Sequence, residues 1–171
     1  ADQVPAVAGF ERPLPIACRE PEERVRKRLP KSISDDDLER LLAEPAREQT
    51  PKALRDRALL EVLYATGLRV SELVGLQPDQ LSVTQGLVRV VGKGGKERLV
   101  PLGDEAVRWV ERFLRESRPA LLGARPSVAL FPTRRGGPLT RQAFWYRIKK
   151  HAATAGIHQA LSPHTVRLAF A

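Results

Sequence analysis

The stretch LLEVLYATGLRVSELVGL, residues 59–76, holds the decision about the fold. It starts as one helix, stops at Gly67, and starts again within a few residues. Leu54, Ala58, Leu59, Val62 and Leu63 recur at the three-and-four spacing of a helix face. Thr50 and Pro51 suit the N-cap and first-turn positions of that helix, and Gly67 suits a left-handed C-terminal position. Ser71, Glu72 and Leu73 then open another turn or two. Between the two apolar runs stands Arg69. Arginine is rarely buried without a partner, so Arg69 either reaches a surface, where Glu72 could pair with it, or it awaits an anion.

Upstream, Ser34 followed three residues later by Asp37 marks a helix start of the capping-box kind. Leu38, Leu41 and Leu42 give that helix one apolar stripe, and the spacing predicts an end near Pro45. Downstream, GLVRVVGKGGKERLVPL (residues 86–102) changes period. Two β-rich runs flank a basic, glycine-rich tip at Lys93 to Lys96, so the segment reads as a hairpin. Asp104 opens an amphipathic helix that buries Ala106, Val107, Val110, Phe113 and Leu114. A Pro/Gly-rich connection interrupted by VALFP follows. Thr140 caps a helix with Phe144, Trp145 and Ile148 on its core face, stopped by Gly156. Ser162 and Pro163 form a last N-cap pair. Helices, one hairpin, then helices make a mainly α domain with a small antiparallel β-sheet, an α+β arrangement.

Residues 1–30 are rich in Pro and charge and lack a period of 3.6 or 2, which reads as a linker or the remnant of a preceding region; the domain proper is expected over residues 31–171. Arg24, Arg26, Lys27, Arg28 and Lys31 could touch phosphates or simply keep that linker solvated. The chain of 171 residues has room for one domain with a real core. No apolar run approaches the ~18 residues of a membrane span, and no secretory pattern opens the chain, so a cytoplasmic location is expected. Cys18 is alone, so it has no internal disulfide partner, and the 3 histidines have no metal-ligand spacing with it; no metal or cofactor is expected. Lys and Arg number 29 against 20 Asp and Glu, a net charge of +9. That surplus favours a polyanion, nucleic acid before an anionic membrane.

Four cations stand out by position: Arg69 at a helix junction, Lys93 at a hairpin tip, and His164 with Arg167 in the first turns of the last helix. Three residues apart, His164 and Arg167 share a helix face. Phosphodiester transfer would use such a set. Charge grows on the nonbridging oxygens as phosphorus becomes five-coordinate, and guanidinium forks stabilise it without losing their own protons. Histidine can donate a hydrogen bond, and lysine can protonate a leaving 5′ oxygen. With cations in these places a metal is dispensable, which agrees with the lack of a paired Asp/Glu cluster. Singly, each residue also has a plain structural reading: Lys93 and Lys96 as charges blunting a hairpin tip, His164 and Arg167 as solvated side chains.

Flanking sequence favours the joint reading. LPKSISDDDLERLL (29–42), RDRALLEVLYATGLRVSELVGL (55–76), VRVVGKGGKERLVPLG (88–103), LFPTRRGGPLTRQAFWYRIKKHAATAGI (130–157) and LSPHTVRLAFA (161–171) resemble, in order, the catalytic domain of the tyrosine site-specific recombinases, the phage integrase family, and within it the bacterial Xer branch. The resemblance implies that Arg69 is the first catalytic arginine, Lys93 the hairpin lysine, and His164 and Arg167 the His-x-x-Arg pair, with Glu72 orienting the cluster. Lys96, Arg98, Arg141, Arg147 and Lys149 become candidate DNA contacts. In this family a tyrosine attacks the scissile phosphate to give a 3′-phosphotyrosyl link, conserving bond energy for rejoining. Double-stranded DNA, a partner recombinase in a tetramer on two duplexes, and a DNA translocase at the division septum are the implied partners, with chromosome-dimer resolution as the setting. Neither Tyr64 nor Tyr146 stands at the nucleophile position, and Leu168 replaces the histidine that usually follows the arginine of the His-x-x-Arg pair. The chain is therefore expected to be a truncated catalytic domain that does not cleave DNA by itself. A non-catalytic DNA-binding module is the alternative.

Overall fold

The computed structural model describes residues 33–162 together with Thr165 and Val166. The expected linker, with Cys18 and the basic run from Arg24 to Lys31, lies outside the described residues, as do His164, Arg167 and Leu168. Helix α1 spans Asp35–Arg47, with the Ser34 hydroxyl accepting from Asp37 N at 3.2 Å. The carboxylate of Asp37 does not complete a reciprocal box; it pairs with Arg40. The expected stop at Pro45 is corrected: α1 runs two residues further. In the last turn a proline removes only one ladder bond, and Pro45 O still accepts from Glu48 N at 3.4 Å. The chain turns instead at Gln49, whose φ is 52° and whose side-chain amide donates to Ala46 O at 2.7 Å.

Helix α2, Pro51–Thr66, begins on Thr50, which accepts from Ala53 N at 3.1 Å. It ends on Gly67 at φ 62°, where Gly67 N donates to Leu63 O at 2.9 Å. A left-handed residue there costs glycine nothing. α2 packs against α1 and against the helices that follow, so most of its surface is covered. Leu59, Leu60, Val62 and Leu63 are all buried. Each such side chain contributes about 1.5–3 kcal/mol by leaving water, an upper figure because denatured chains are partly collapsed.

The short α3, Val70–Val74, follows at once. A three-stranded antiparallel sheet comes next, in the order β1 (Leu81–Ser82), β2 (Leu87–Val91) and β3 (Glu97–Pro101). The hairpin matches expectation, with Val88 opposite Val100 and Val90 opposite Arg98. Strand β1, two residues long, had no alternating pattern to announce it. Val88 and Val90 turn inward while Leu87, Arg89 and Val91 are more exposed, so one face of the sheet covers the core.

Helix α4 spans Asp104–Arg112 and buries Ala106 and Val110, with Phe113 just beyond it also buried. It widens into a π-turn over Phe113–Ser117 and runs on as α5, Arg118–Leu122. Pro119 explains the widening, since it has no N–H for the ladder and its ring needs space in the preceding turn. Phe113 stacks on Phe131 at 5.5 Å. Helix α6, Arg141–Thr154, starts on Thr140, which accepts from Ala143 N at 3.0 Å, and buries Phe144, Ile148, His151 and Ala152. Trp145 is half-buried and meets Phe144 edge-on at 5.3 Å.

A buried ionic group fastens α2 to α6. Asp56 is 2% exposed and accepts from Arg55 Nη2 at 3.1 Å and from Arg147 Nε at 2.6 Å, and its Oδ2 lies 2.8 Å from His151 Nε2. Burial alone would raise this carboxyl, but the His151 hydrogen bond and the charges of Arg55 and Arg147 hold it below the ordinary value. On the far flank of α2, Arg57 lies 4.5 Å from the ring centroid of Trp109 and pairs with Glu61 at 2.6 Å.

Candidate active site

Arg69 occupies the N-cap of α3 in an extended conformation, φ −68° and ψ 145°. Gly67 reverses the chain after α2, Leu68 anchors in the core, and Arg69 emerges exposed at the start of α3. Glu72 does not pair with the Arg69 guanidinium. Its Oε2 accepts from the Arg69 backbone N–H at 3.0 Å, filling the first-turn vacancy of α3. The rest of its charge goes to Arg98 on β3, whose Nη2 reaches Oε2 at 3.1 Å and whose Nη1 reaches Oε1 at 3.4 Å. Burial pushes the Glu72 carboxyl up, yet the Arg69 N–H and the Arg98 fork outweigh it and leave the carboxyl below its usual range.

Arg98, expected as a DNA contact, ties α3 to the hairpin. It also lies beside Gly92, where an added Cβ would sit 3.6 Å from Arg98 Nη1. Gly92 holds the base of the tip by donating to Lys96 O at 2.7 Å and accepting from Gly95 N at 3.2 Å. Lys93 starts the short 3₁₀ turn Lys93–Gly95, in which Gly94 has φ 79°. A continuous path thus runs from Arg69 N through Glu72 and Arg98 to the base of the Lys93 turn. Both Arg69 and Lys93 are exposed, and among the described residues neither side chain makes an ion pair. Two cations are presented to solvent by backbones that one carboxylate and one guanidinium hold.

The other expected residues separate into groups. Lys96 is exposed beside Lys93 at the tip. Arg141 and Lys149 lie on the outer side of α6 and line one hollow with Trp145 and Ser162. Arg147 points the other way, into the Asp56 group, with 18% of its side chain exposed. Ser162 caps the last turn as expected, its hydroxyl accepting from Thr165 N at 3.1 Å. Thr165 and Val166 are buried. His164 and Arg167 flank that pair in sequence and lie outside the described residues. Tyr64 on α2 and Tyr146 on α6 are exposed. Among the described residues no group of three or more His, Cys, Asp and Glu could hold a metal ion, and no helix is long and apolar enough to cross a membrane.

Sequence reasoning missed Asp56 and the pairing of Glu72 with Arg98. The first had a signal, since Arg55 and Asp56 stand between Leu54 and Ala58 of the apolar face and, if buried with it, had to satisfy each other or a third group. The second had none, because its partners are 26 positions apart.

Residues 31–171 match the model of the phage integrase family. The tyrosine recombinase XerD of Pseudomonas aeruginosa is 61% identical over 145 residues, covering 85% of this chain and 48% of that protein. XerD of Vibrio cholerae is 55% identical over 145 residues, covering 84% and 48%. The chain spans about half the length of the curated relatives it matches. Among solved structures, XerA recombinase aligns with a TM-score of 0.71 at 25% identity, covering 82% of this chain and 49% of that one. XerH recombinase in a post-cleavage complex with its palindromic difH substrate aligns at 0.69 with 23% identity, covering 83% and 41%, a likeness of fold.

Proposed function

Because the chain belongs to the phage integrase family, we propose that it carries the phosphate-activating residues of an enzyme that cuts and rejoins double-stranded DNA through a 3′-phosphotyrosyl link. The observation that carries the reading is the Arg69–Glu72–Arg98 tie, which holds an unpaired arginine and the base of a lysine-bearing tip on one hydrogen-bonded frame. Arg69, with His164 and Arg167, would bind the nonbridging oxygens and gain strength as negative charge accumulates there, which lowers the barrier rather than only tightening binding. Lys93, on a glycine-rich turn, would deliver a proton to the leaving 5′ oxygen, leaving a free hydroxyl and the covalent phosphotyrosine. The nucleophile is neither Tyr64 nor Tyr146. Residues 31–171 form the partial catalytic domain, preceded by a linker. In this reading the enzyme works in the cytoplasm, in a tetramer with a partner recombinase on two duplexes. Resolution of chromosome dimers, coupled to a DNA translocase at the septum, is the setting.

A duplex bearing the recombination site of the pseudomonad relative, with a 3′-p-nitrophenyl phosphate ester at the scissile position, tests the phosphate-activating half without a tyrosine. With a free 5′ hydroxyl placed across a nick as the attacking group, strand joining with release of p-nitrophenol should be faster with the chain than without it, and should fall by about 10²-fold or more in Arg69→Gln, in the range of losing one transition-state donor. A nicked suicide duplex of the same sequence should give no covalent adduct. Equal release by wild type and Arg69→Gln would leave only the non-catalytic DNA-binding module. An adduct would show that Tyr64 or Tyr146 is the nucleophile after all.

A further inference from the structure

At the opposite end of α2 from Arg69 lies a second group of cations. Lys52, in the first turn of α2, faces a hollow of about 330 Å³ together with Arg134 and Arg135 of the loop that precedes α6; Arg55 and Arg147 form its floor. The loop is held in shape from behind. Thr133 N donates to Gly137 O at 2.8 Å and Gly136 N to Thr133 O at 3.0 Å, while Pro132 and Pro138 bridge its base. From the 123–129 segment, Arg125 Nη1 donates to Arg134 O and the Ser127 hydroxyl to Gly136 O, each at 2.6 Å. Gly136, at φ 91°, comes so near this segment that a Cβ would lie 3.1 Å from Pro126 O. Backbone carbonyls are thereby occupied on the far side, and both arginine heads stay exposed on the near side.

The floor is equally constrained. Arg55 is 3% exposed and joins α2 to the loop by donating from Nη1 to Pro132 O at 3.1 Å, while its other nitrogens bond Asp56. Asp56 is already shared among Arg55, Arg147 and His151, and it is the carboxylate nearest to hand. Lys52, Arg134 and Arg135 make no ion pair among the described residues. At Lys52 the charge of Arg134, then burial, then Arg147 and Arg55 outweigh the nearby Asp56 and lower the ammonium pKa. Such crowding favours an anion among the three cations. No aromatic ring lines the hollow, so a stacked base is a poor occupant, whereas guanidinium forks fit phosphate oxygens.

We propose that Lys52, Arg134 and Arg135, backed by the buried Arg55–Asp56–Arg147 group, form a second phosphate clasp that grips the DNA backbone away from the scissile phosphate. The inference rests on the recombinase reading and locates a contact that reading does not assign. α2 has 16 residues and at 1.5 Å per residue separates Lys52 from the Arg69 end by about 21 Å. Projected on a duplex rising 3.4 Å per base pair, that is up to about six steps from the phosphate held by Arg69. The clasp reads no sequence. It fixes register and orientation while Arg69 and Lys93 engage the reacting phosphate.

The test compares the wild-type chain, the triple variant Lys52→Gln/Arg134→Gln/Arg135→Gln and the double variant Arg69→Gln/Lys93→Gln in duplex binding across a NaCl series, with thermal unfolding of each. Each phosphate contact contributes about 0.9 to the slope of log K against log[salt], so the triple variant should lower the slope by about 1–2 on unrelated sequences, at an unchanged melting temperature. If it keeps the wild-type slope while the double variant loses it, the clasp is overturned and the recombinase reading stands. If wild type shows no salt-dependent duplex binding, both fall. Inorganic phosphate is the remaining arm. Saturable phosphate binding lost in the triple variant, with duplex slopes unchanged, would make the hollow a free-anion site and refute the backbone clasp.

Discussion

Replacing Asp56 by alanine should damage this fold more than any surface ion-pair change. The carboxylate is 2% exposed, and its removal strands Arg55, itself 3% exposed, with Pro132 O as its remaining hydrogen-bond partner among the described residues. Breaking a buried pair on one side costs about 3–5 kcal/mol, because the other charge is left desolvated. Unfolding entropy near 2.1 cal/mol/K per residue over the roughly 140 residues of Ser32–Ala171 makes each kcal/mol worth about 3.4 °C. The melting temperature at pH 7 should therefore fall by about 10–17 °C, read by circular dichroism or calorimetry. Asp56→Asn preserves shape but turns one acceptor into a donor facing arginine nitrogens, so it should lose about half as much. Acid gives an independent check. The folded pKa of Asp56 is depressed, so its contribution is full above the unfolded carboxylate value near 4 and fades as pH falls through the lower folded value. The gap between wild type and Asp56→Ala should narrow over that acid range. A loss under about 3 °C at pH 7, or a gap that widens in acid, would refute the claim that Asp56 neutralises a buried cation cluster.

Glu72→Gln should cost about 1 kcal/mol of stability by weakening the α3 cap and the Arg98 fork. Since the Glu72 carboxyl is also held down, urea titrations should show this difference at neutral pH and its loss below the ordinary carboxylate range. Gly67→Ala places a Cβ at φ 62° and should cost about 1–2 kcal/mol, with Gly67→Asn recovering part of it; an alanine variant as stable as wild type would contradict the left-handed cap. Trp109→Leu removes a ring that faces Arg57 at 4.5 Å and Arg112 at 5.5 Å. Chemical denaturation should show a loss of about 1–2 kcal/mol from these two contacts.

Local signals made much of this domain legible. Thr50, Pro51 and Gly67 bound α2 because caps and prolines act on backbone groups within a few positions, and Ser34, Thr140 and Ser162 did the same for their helices. The period change at residues 86–102 located the hairpin, and Arg69 drew notice because a lone cation beside apolar runs needs a reason. Three local features went against expectation: α1 running through Pro45, the π-turn before Pro119, and the two-residue strand β1. The first two depend on how much of a helix remains after a proline, and β1 owes its existence to pairing with β2 rather than to its own residues.

By itself, then, the sequence determined the net charge, which follows from composition, and the hairpin and the ends of α2 and the start of α6, which follow from periodicity and short-range hydrogen bonding. Only the tertiary structure decided where the charges go. Glu72 could have paired with Arg69 three positions away, but its carboxylate sits against β3 and takes Arg98 instead. Arg147, a candidate DNA contact on α6, meets a buried carboxylate 91 positions earlier in the chain, and His151 meets the same group from 95 positions away. Burial makes an unpaired charge expensive, so the tertiary fold that brings Asp56 within reach of α6 selects these partners, and sequence distance carries no information about which elements will meet.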